Sequence, residues 1–149
     1  MTAIIVRNPK ALLVPRVQTL LEQAISSVPY LAPDGLNSIA PDLMAHITDE
    51  RLFMAVGIEN GEHKSLVLGN LPLNNFFPYP VISVAYHMGS KALGNEMKEL
   101  VVDFFLQAGY TKFWALNASG HSDKAWLKVF EKENVSATPI GTAFLFEVD

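Results

Sequence analysis

Apolar residues recur at helical spacing in three stretches of the chain. Val17, Leu20, Leu21, Ala24, Ile25 and Val28 repeat at intervals that place them on one helical face. Pro15 suits the first helical position, where a missing N–H costs nothing, and Pro29 ends the run. A second face, Leu36, Ile39, Ala40, Leu43, Met44 and Ile47, is interrupted by Pro41. That proline predicts a helix starting there, with a lead-in turn before it. Met97, Leu100, Val101, Phe104, Phe105 and Ala108 form the strongest face, between Gly94 and Gly109.

Strand-like runs separate these helices. Ala3–Arg7 is β-branched and ends at Asn8-Pro9. Leu52–Ile58 and Ser65–Leu71 flank Asn60-Gly61, a pair that tolerates positive φ and so predicts a tight hairpin turn. Residues 72–80 hold three prolines and read as a loop. Val81–Tyr86 is a continuous β-favouring run suited to burial on both faces. Lys112–Leu116 reads as another strand, and Ser122 or Asp123 can cap a helix bearing Ala125, Trp126, Val129 and Phe130. Thr142–Val148 closes the chain as an alternating strand, with room for a short one near Val135–Thr138. Trp114 and Trp126 read as packing residues. The predicted order is β-α-α-β-β-β-α-β-α-β, a mixed α/β fold around a central sheet.

Composition narrows the function classes. The 149 residues suit one domain, half of them are hydrophobic, and a 17% charged fraction fits a globular chain. The absence of cysteine excludes disulfides, thiolate metal sites and cysteine nucleophiles. A formal charge of −4 argues against general nucleic-acid binding, which needs a basic face to displace counterions. No apolar run approaches the roughly 20 residues of a membrane span, and the start of the chain shows no secretory signal, so a cytoplasmic location is expected. His46, within the second helical stretch, and His63, in the hairpin turn, read as surface residues. The four histidines show no ligand spacing, and no metal is expected.

Candidate chemistry concentrates after Val81–Tyr86. The strand runs into Gly89-Ser90-Lys91-Ala92-Leu93-Gly94, and the helix Asn95–Ala108 follows. A helix start exposes unpaired N–H groups at a positive dipole end, which suits pyrophosphate. Gly89, Ser90 and Gly94 allow close backbone approach, Lys91 offers a cation, and Ser90 and Asn95 offer donors. The same loop also serves simply to turn a strand into a helix.

In element order, and over residues 81–132 in motif, the chain resembles the GNAT N-acetyltransferases, single-domain proteins whose mixed sheet carries helices on both faces. Their phosphate loop has the pattern Gln/Arg-x-x-Gly-x-Gly/Ala. Here Gly94 matches, while Gly89 replaces Gln/Arg and Ala92 replaces the first glycine. Gly109-Tyr110 matches the usual helix end, and Phe130-Glu131-Lys132 falls where relatives often carry Tyr-Glu-Lys. The resemblance implies acetyl-coenzyme A as co-substrate, held by the loop 89–94 with Asn95. It also implies that Val84 and Tyr86 offer backbone groups to the pantetheine arm where two strands splay apart. Asn117 stands at the mouth of that gap, either bonding the cofactor or capping a strand end.

Direct acyl transfer needs amine deprotonation, an oxyanion donor and an acid for the thiolate. The resemblance implies the Val84 backbone N–H as oxyanion donor and places Phe130 at the position of the usual acid tyrosine. Phe130 cannot donate a proton, leaving Tyr86 and Tyr110 as stand-ins. Pro78–Tyr86 contains no carboxylate, so His87 is the nearest candidate base. Ser119 and His121 form a nucleophile-like pair that a polar turn and helix cap explain equally. The acceptor site would draw on residues 28–37 and 72–80, whose aromatics (Tyr30, Phe76, Phe77, Tyr79) either line a cleft or staple the loop. Their character suggests an acceptor that is not strongly charged. The expected activity is acetyl transfer to an unidentified amine, small molecule or protein, and a homodimer is compatible with it. Two alternatives stand beside it. One is a non-catalytic protein of the same fold, serving as an interaction module or coenzyme A sensor; the other is an unrelated α/β domain binding an anion at Gly94.

Overall fold

The computed structural model describes residues 2–28, 35–48, 51–72, 75–76, 78–89, 93–116, 124, 127–130, 135–141 and 146–148. Strand β1 (Thr2–Val6) leads through a 3₁₀ turn, Pro9–Leu13, to α1 (Pro15–Ser26) and α2 (Leu36–His46). Asn8 caps the 3₁₀ turn, its side chain accepting from the Lys10 N–H at 3.0 Å. Pro15 occupies the first helical turn of α1, as its fixed φ favours. Strands β2 (Leu52–Glu59) and β3 (Glu62–Asn70) are joined at Asn60 and Gly61, with φ of 53° and 77°. Two successive positive φ values match the twist of a two-residue hairpin. Strand β4 (Val81–His87), helix α3 (Asn95–Gln107) and strand β5 (Trp114–Ala115) follow.

The five strands form one sheet in the order β1-β2-β3-β4-β5. The first three pairings are antiparallel; β5 joins β4 in parallel after the α3 crossover. Alternation within the strands divides the core between two faces. Met54, Val56, Leu66, Leu68 and Val84 meet Leu20, Leu21, Ile25 and Leu43 of α1 and α2. On the other face, Phe53, Ala55, Val67 and Ile82 meet Met97, Val101 and Phe105 of α3. Helices therefore cover both sides, as expected of the fold class.

Three expectations need correction. Helix α2 begins at Leu36 rather than at Pro41, which lies inside it. Leu43 and Ile47 are buried, and Leu36 packs against the same cluster. That burial offsets the bond that proline cannot donate. His63 lies in β3 rather than in the turn; it is half-buried and its Nδ1 has no hydrogen-bond partner. The expected closing strand is not formed at its described end: Phe146 and Val148 are 88% and 96% exposed without regular structure. Alternation specifies a face only where a neighbouring strand is present to pair with. Residues 142–145 of that segment, and the helix-cap residues Ser122 and Asp123, lie outside the described residues. Among the described residues, no helix is long and apolar enough to cross a membrane.

Candidate functional site

The site begins where β4 and β5 meet. Their pairing spans only Val81–Trp114 and Ile82–Ala115. The N–H groups of Trp114 and Leu116 donate to the carbonyls of Pro80 and Ile82 at 2.8 and 2.9 Å. Among the described residues the parallel pairing then ends, although β4 runs on to His87.

On its other side β4 changes register at the same level. Leu68 faces Val84 and Gly69 faces Ile82, which leaves Ser83 as the extra residue of a β-bulge. The local cause is visible at Gly69. A Cβ there would overlap the Val81 carbonyl and sit 2.8 Å from the Phe53 ring. Only glycine lets the strands approach so closely. The bulge puts Ser83 and Val84 side by side on the α1–α2 face, where both line a cavity of about 250 Å³. Its other walls include Ile25 and Val28 of α1, Asp42 and Leu43 of α2, and Asn70 of β3.

Beyond the bulge, Val84 and Tyr86 belong to the α1–α2 face, and Ala85 to the α3 face. The Tyr86 hydroxyl donates to Gln23 Oε1 of α1 at 3.3 Å. His87 pairs across the strands with Ser65, a fully buried serine on the same side as Val67. Ser65 Oγ and His87 Nδ1 lie 2.5 Å apart. His87 thus faces the α3 side, while the cavity opens on the opposite face.

At the head of α3, Gly94 is the N-cap and has no side chain to offer the first turn. The Lys98 N–H already donates to the Gly94 carbonyl at 3.1 Å, so the preceding N–H groups are those left without an intrahelical acceptor. Glu96 stands in that turn, a charge that favours the helix dipole and opposes an anion. Gly89 has a φ of +72° with open space around it, so its backbone favours glycine. Leu93 is buried against α3, which anchors the loop's end. Ser90, Lys91, Ala92 and Asn117 lie outside the described residues, as do Ser119 and His121.

Phe130 is buried on the α3 face, edge-on to Phe113 with ring centroids 5.4 Å apart. Tyr110 packs against the same cluster. In the loop before β4, Tyr79 lies edge-on to Trp114 at 5.7 Å, with Lys112 Nζ over its ring. Tyr79 therefore staples that loop, while Phe76 is 87% exposed. No group of three or more metal-ligating side chains occurs among the described residues.

The sequence reading missed the bulge, the cavity and the pairing of Ser65 with His87. Ser83 was the available signal, a polar residue inside an apolar strand. The other two depend on strand register, which spacing along one chain does not specify.

The architecture is the GNAT acetyltransferase fold: a mixed sheet with helices on both faces and a central strand joined in parallel to the strand that follows α3. Solved structures share it over nearly the whole chain. A ribosomal-protein-alanine N-acetyltransferase from Brucella melitensis biovar Abortus 2308 superposes with a TM-score of 0.64 at 13% identity, covering 100% of this chain and 99% of that one. An aminoglycoside antibiotic 6'-N-acetyltransferase from Acinetobacter haemolyticus gives 0.63 at 11% identity, with 100% of both chains covered. A predicted acetyltransferase from Clostridium acetobutylicum, solved with acetyl-CoA, gives 0.51 at 11% identity, covering 94% of this chain and 95% of that one. No protein-family model matches the sequence, and no curated protein does either.

Proposed function

We propose that this chain is an acetyl-coenzyme A-dependent N-acyltransferase working by direct transfer to an amine, with residues 1–149 acting as one domain. The observation that supports this best is the short β4–β5 junction, whose pairing among the described residues reaches no further than Ile82, beside the bulge at Ser83. A strand edge that carries no further ladder bonds among the described residues has backbone donors and acceptors to offer an extended ligand such as the pantetheine arm. The fit extends to the head of α3, where Gly94 provides no side-chain cap and the first N–H groups have no intrahelical acceptor, an arrangement that suits pyrophosphate.

In this reading Val84 and Tyr86 hold the arm through their backbone, and the Val84 N–H meets the developing oxyanion. Gly89, Ser90, Lys91, Ala92, Leu93, Gly94 and Asn95 grip the phosphates, with Asn117 at the mouth of the gap. The amine nitrogen bonds to the acetyl carbon, the carbon–sulfur bond breaks, and one amine proton is lost. His87 is the proposed acceptor of that proton. Because it faces the α3 side and the cavity lies on the other face, it would take up that proton through intervening water. Tyr86 is the better placed of the two stand-in acids, since it shares the cavity's face while Tyr110 packs with α3.

A second reading, cofactor binding without turnover, is favoured by Phe130, an apolar side chain buried against Phe113 where relatives often carry the acid. Calorimetric titration with acetyl-coenzyme A, against free phosphate and adenosine diphosphate, tests what both readings share. Thiol release from acetyl-coenzyme A with a panel of amines then separates them. Selective binding with thiol release supports the enzyme, and selective binding with no release supports the sensor. No selective binding at millimolar concentration overturns both.

A further inference from the structure

The cavity beside the β4 bulge has a charge pattern that narrows its ligand. Of the side chains lining it, Asp42 is the one that carries a charge, and Asn70 and Ser83 are the other polar ones. The remaining walls, among them Ile25, Val28 and Leu43, are aliphatic. Asp42 stands exposed at the edge of this apolar lining, and among the described residues no cation pairs with it. Asn70 Nδ2 reaches the Arg51 carbonyl at 3.5 Å, which leaves its Oδ1 as an acceptor. At about 250 Å³ the space falls below the ~300–1,000 Å³ usual for drug-sized ligands.

We propose that this cavity takes a compact primary monoamine with an apolar body, its ammonium held by Asp42 and its body against Ile25, Val28 and Leu43. The identification of this ligand as an acceptor rests on the acyltransferase reading; the site itself does not. One carboxylate balances one ammonium. A polycationic sugar would bring into the cavity further charges that aliphatic walls cannot solvate. Exposure of Asp42 gives the ammonium proton a route to water before the nitrogen attacks.

Benzylamine, benzyl alcohol and kanamycin are titrated calorimetrically into the full chain without cofactor, and acetyl-coenzyme A is titrated separately. Benzylamine is expected to bind more tightly than its neutral isostere benzyl alcohol and than kanamycin. Asp42→Asn is expected to remove that preference for the amine by roughly tenfold, the size of one charge-assisted hydrogen bond near water. The exposed Asp103→Asn on α3 should change nothing. Equal binding of amine and alcohol, or a preference that survives Asp42→Asn, would overturn the site. Tighter binding of kanamycin through Asp42 would overturn the ligand class. Asp42-dependent benzylamine binding without acetyl-coenzyme A binding would keep the site and remove the acyltransferase reading.

Discussion

At Gly69 the requirement is for the absence of a side chain. The Phe53 ring lies over that position, held in turn by Phe105 at a centroid distance of 5.0 Å and by Phe104 at 5.8 Å. Gly69→Ala drives a methyl into the Val81 carbonyl and should destabilise the fold by about 2–3 kcal/mol, read as a lower thermal midpoint. An unchanged midpoint would mean that the strands can separate there freely. Phe130 poses a different problem. Phe130→Tyr brings a hydroxyl into an apolar cluster, and an unpartnered buried hydroxyl costs about 1–3 kcal/mol. The expected result is a lower midpoint with no gain in turnover; a gain in thiol release would place the Phe130 position at the reacting sulfur. Ser65→Ala leaves the His87 ring without its Nδ1 partner. If His87 is the base, kcat should fall by roughly tenfold or more, within the range of acid–base contributions, while the affinity for acetyl-coenzyme A is kept. Unchanged kcat would leave the pair a structural contact only.

Among the elements, α1, α3 and the β2–β3 hairpin were the most legible from the chain. Each depends on a local pattern: the 3.6-residue period ahead of Ser27 and Gly109, and Asn60-Gly61 with its two positive φ values. Helix α2 was only half legible, because Pro41 marks a break by local rules while Leu36, Leu43 and Ile47 hold the helix by packing. Strand β5 is shorter than its β-favouring run, because β4 begins at Val81, opposite Trp114, and offers Lys112 and Phe113 no strand to pair with. The candidate site divides in the same way. Gly89 and the head of α3 follow from residue type and order. The bulge at Ser83, the cavity and the Ser65–His87 contact follow from how strands far apart in sequence are aligned. The β4–α3 turn carries a prediction of its own. Gly89→Val forces a β-branched residue to a φ of +72° and should weaken acetyl-coenzyme A binding by distorting the loop. Affinity equal to the unaltered chain would remove Gly89 from the phosphate site.

For the whole molecule, the sheet holds two apolar cores apart and lets the proposed donor and acceptor meet at one strand. Helix α3 packs on one face of the sheet over β1 and β2, with Ile82 and Ala85 of β4 in the same apolar cluster, and α1 and α2 line a cavity on the other face. Strand β4 is the element common to both, and its bulge and the end of its described pairing with β5 coincide at residues 82–84. That coincidence is the physical basis of the proposed transfer, because a thioester along the edge would lie next to the cavity lining at Ser83 and Val84. The central claim is tested most directly by an amide-resolved nuclear magnetic resonance titration with acetyl-coenzyme A. Shifts concentrated in Ser83–His87 and at the start of α3, absent with free phosphate along β4, are the expected result. Saturating cofactor that leaves the β4 amides unmoved would contradict the account.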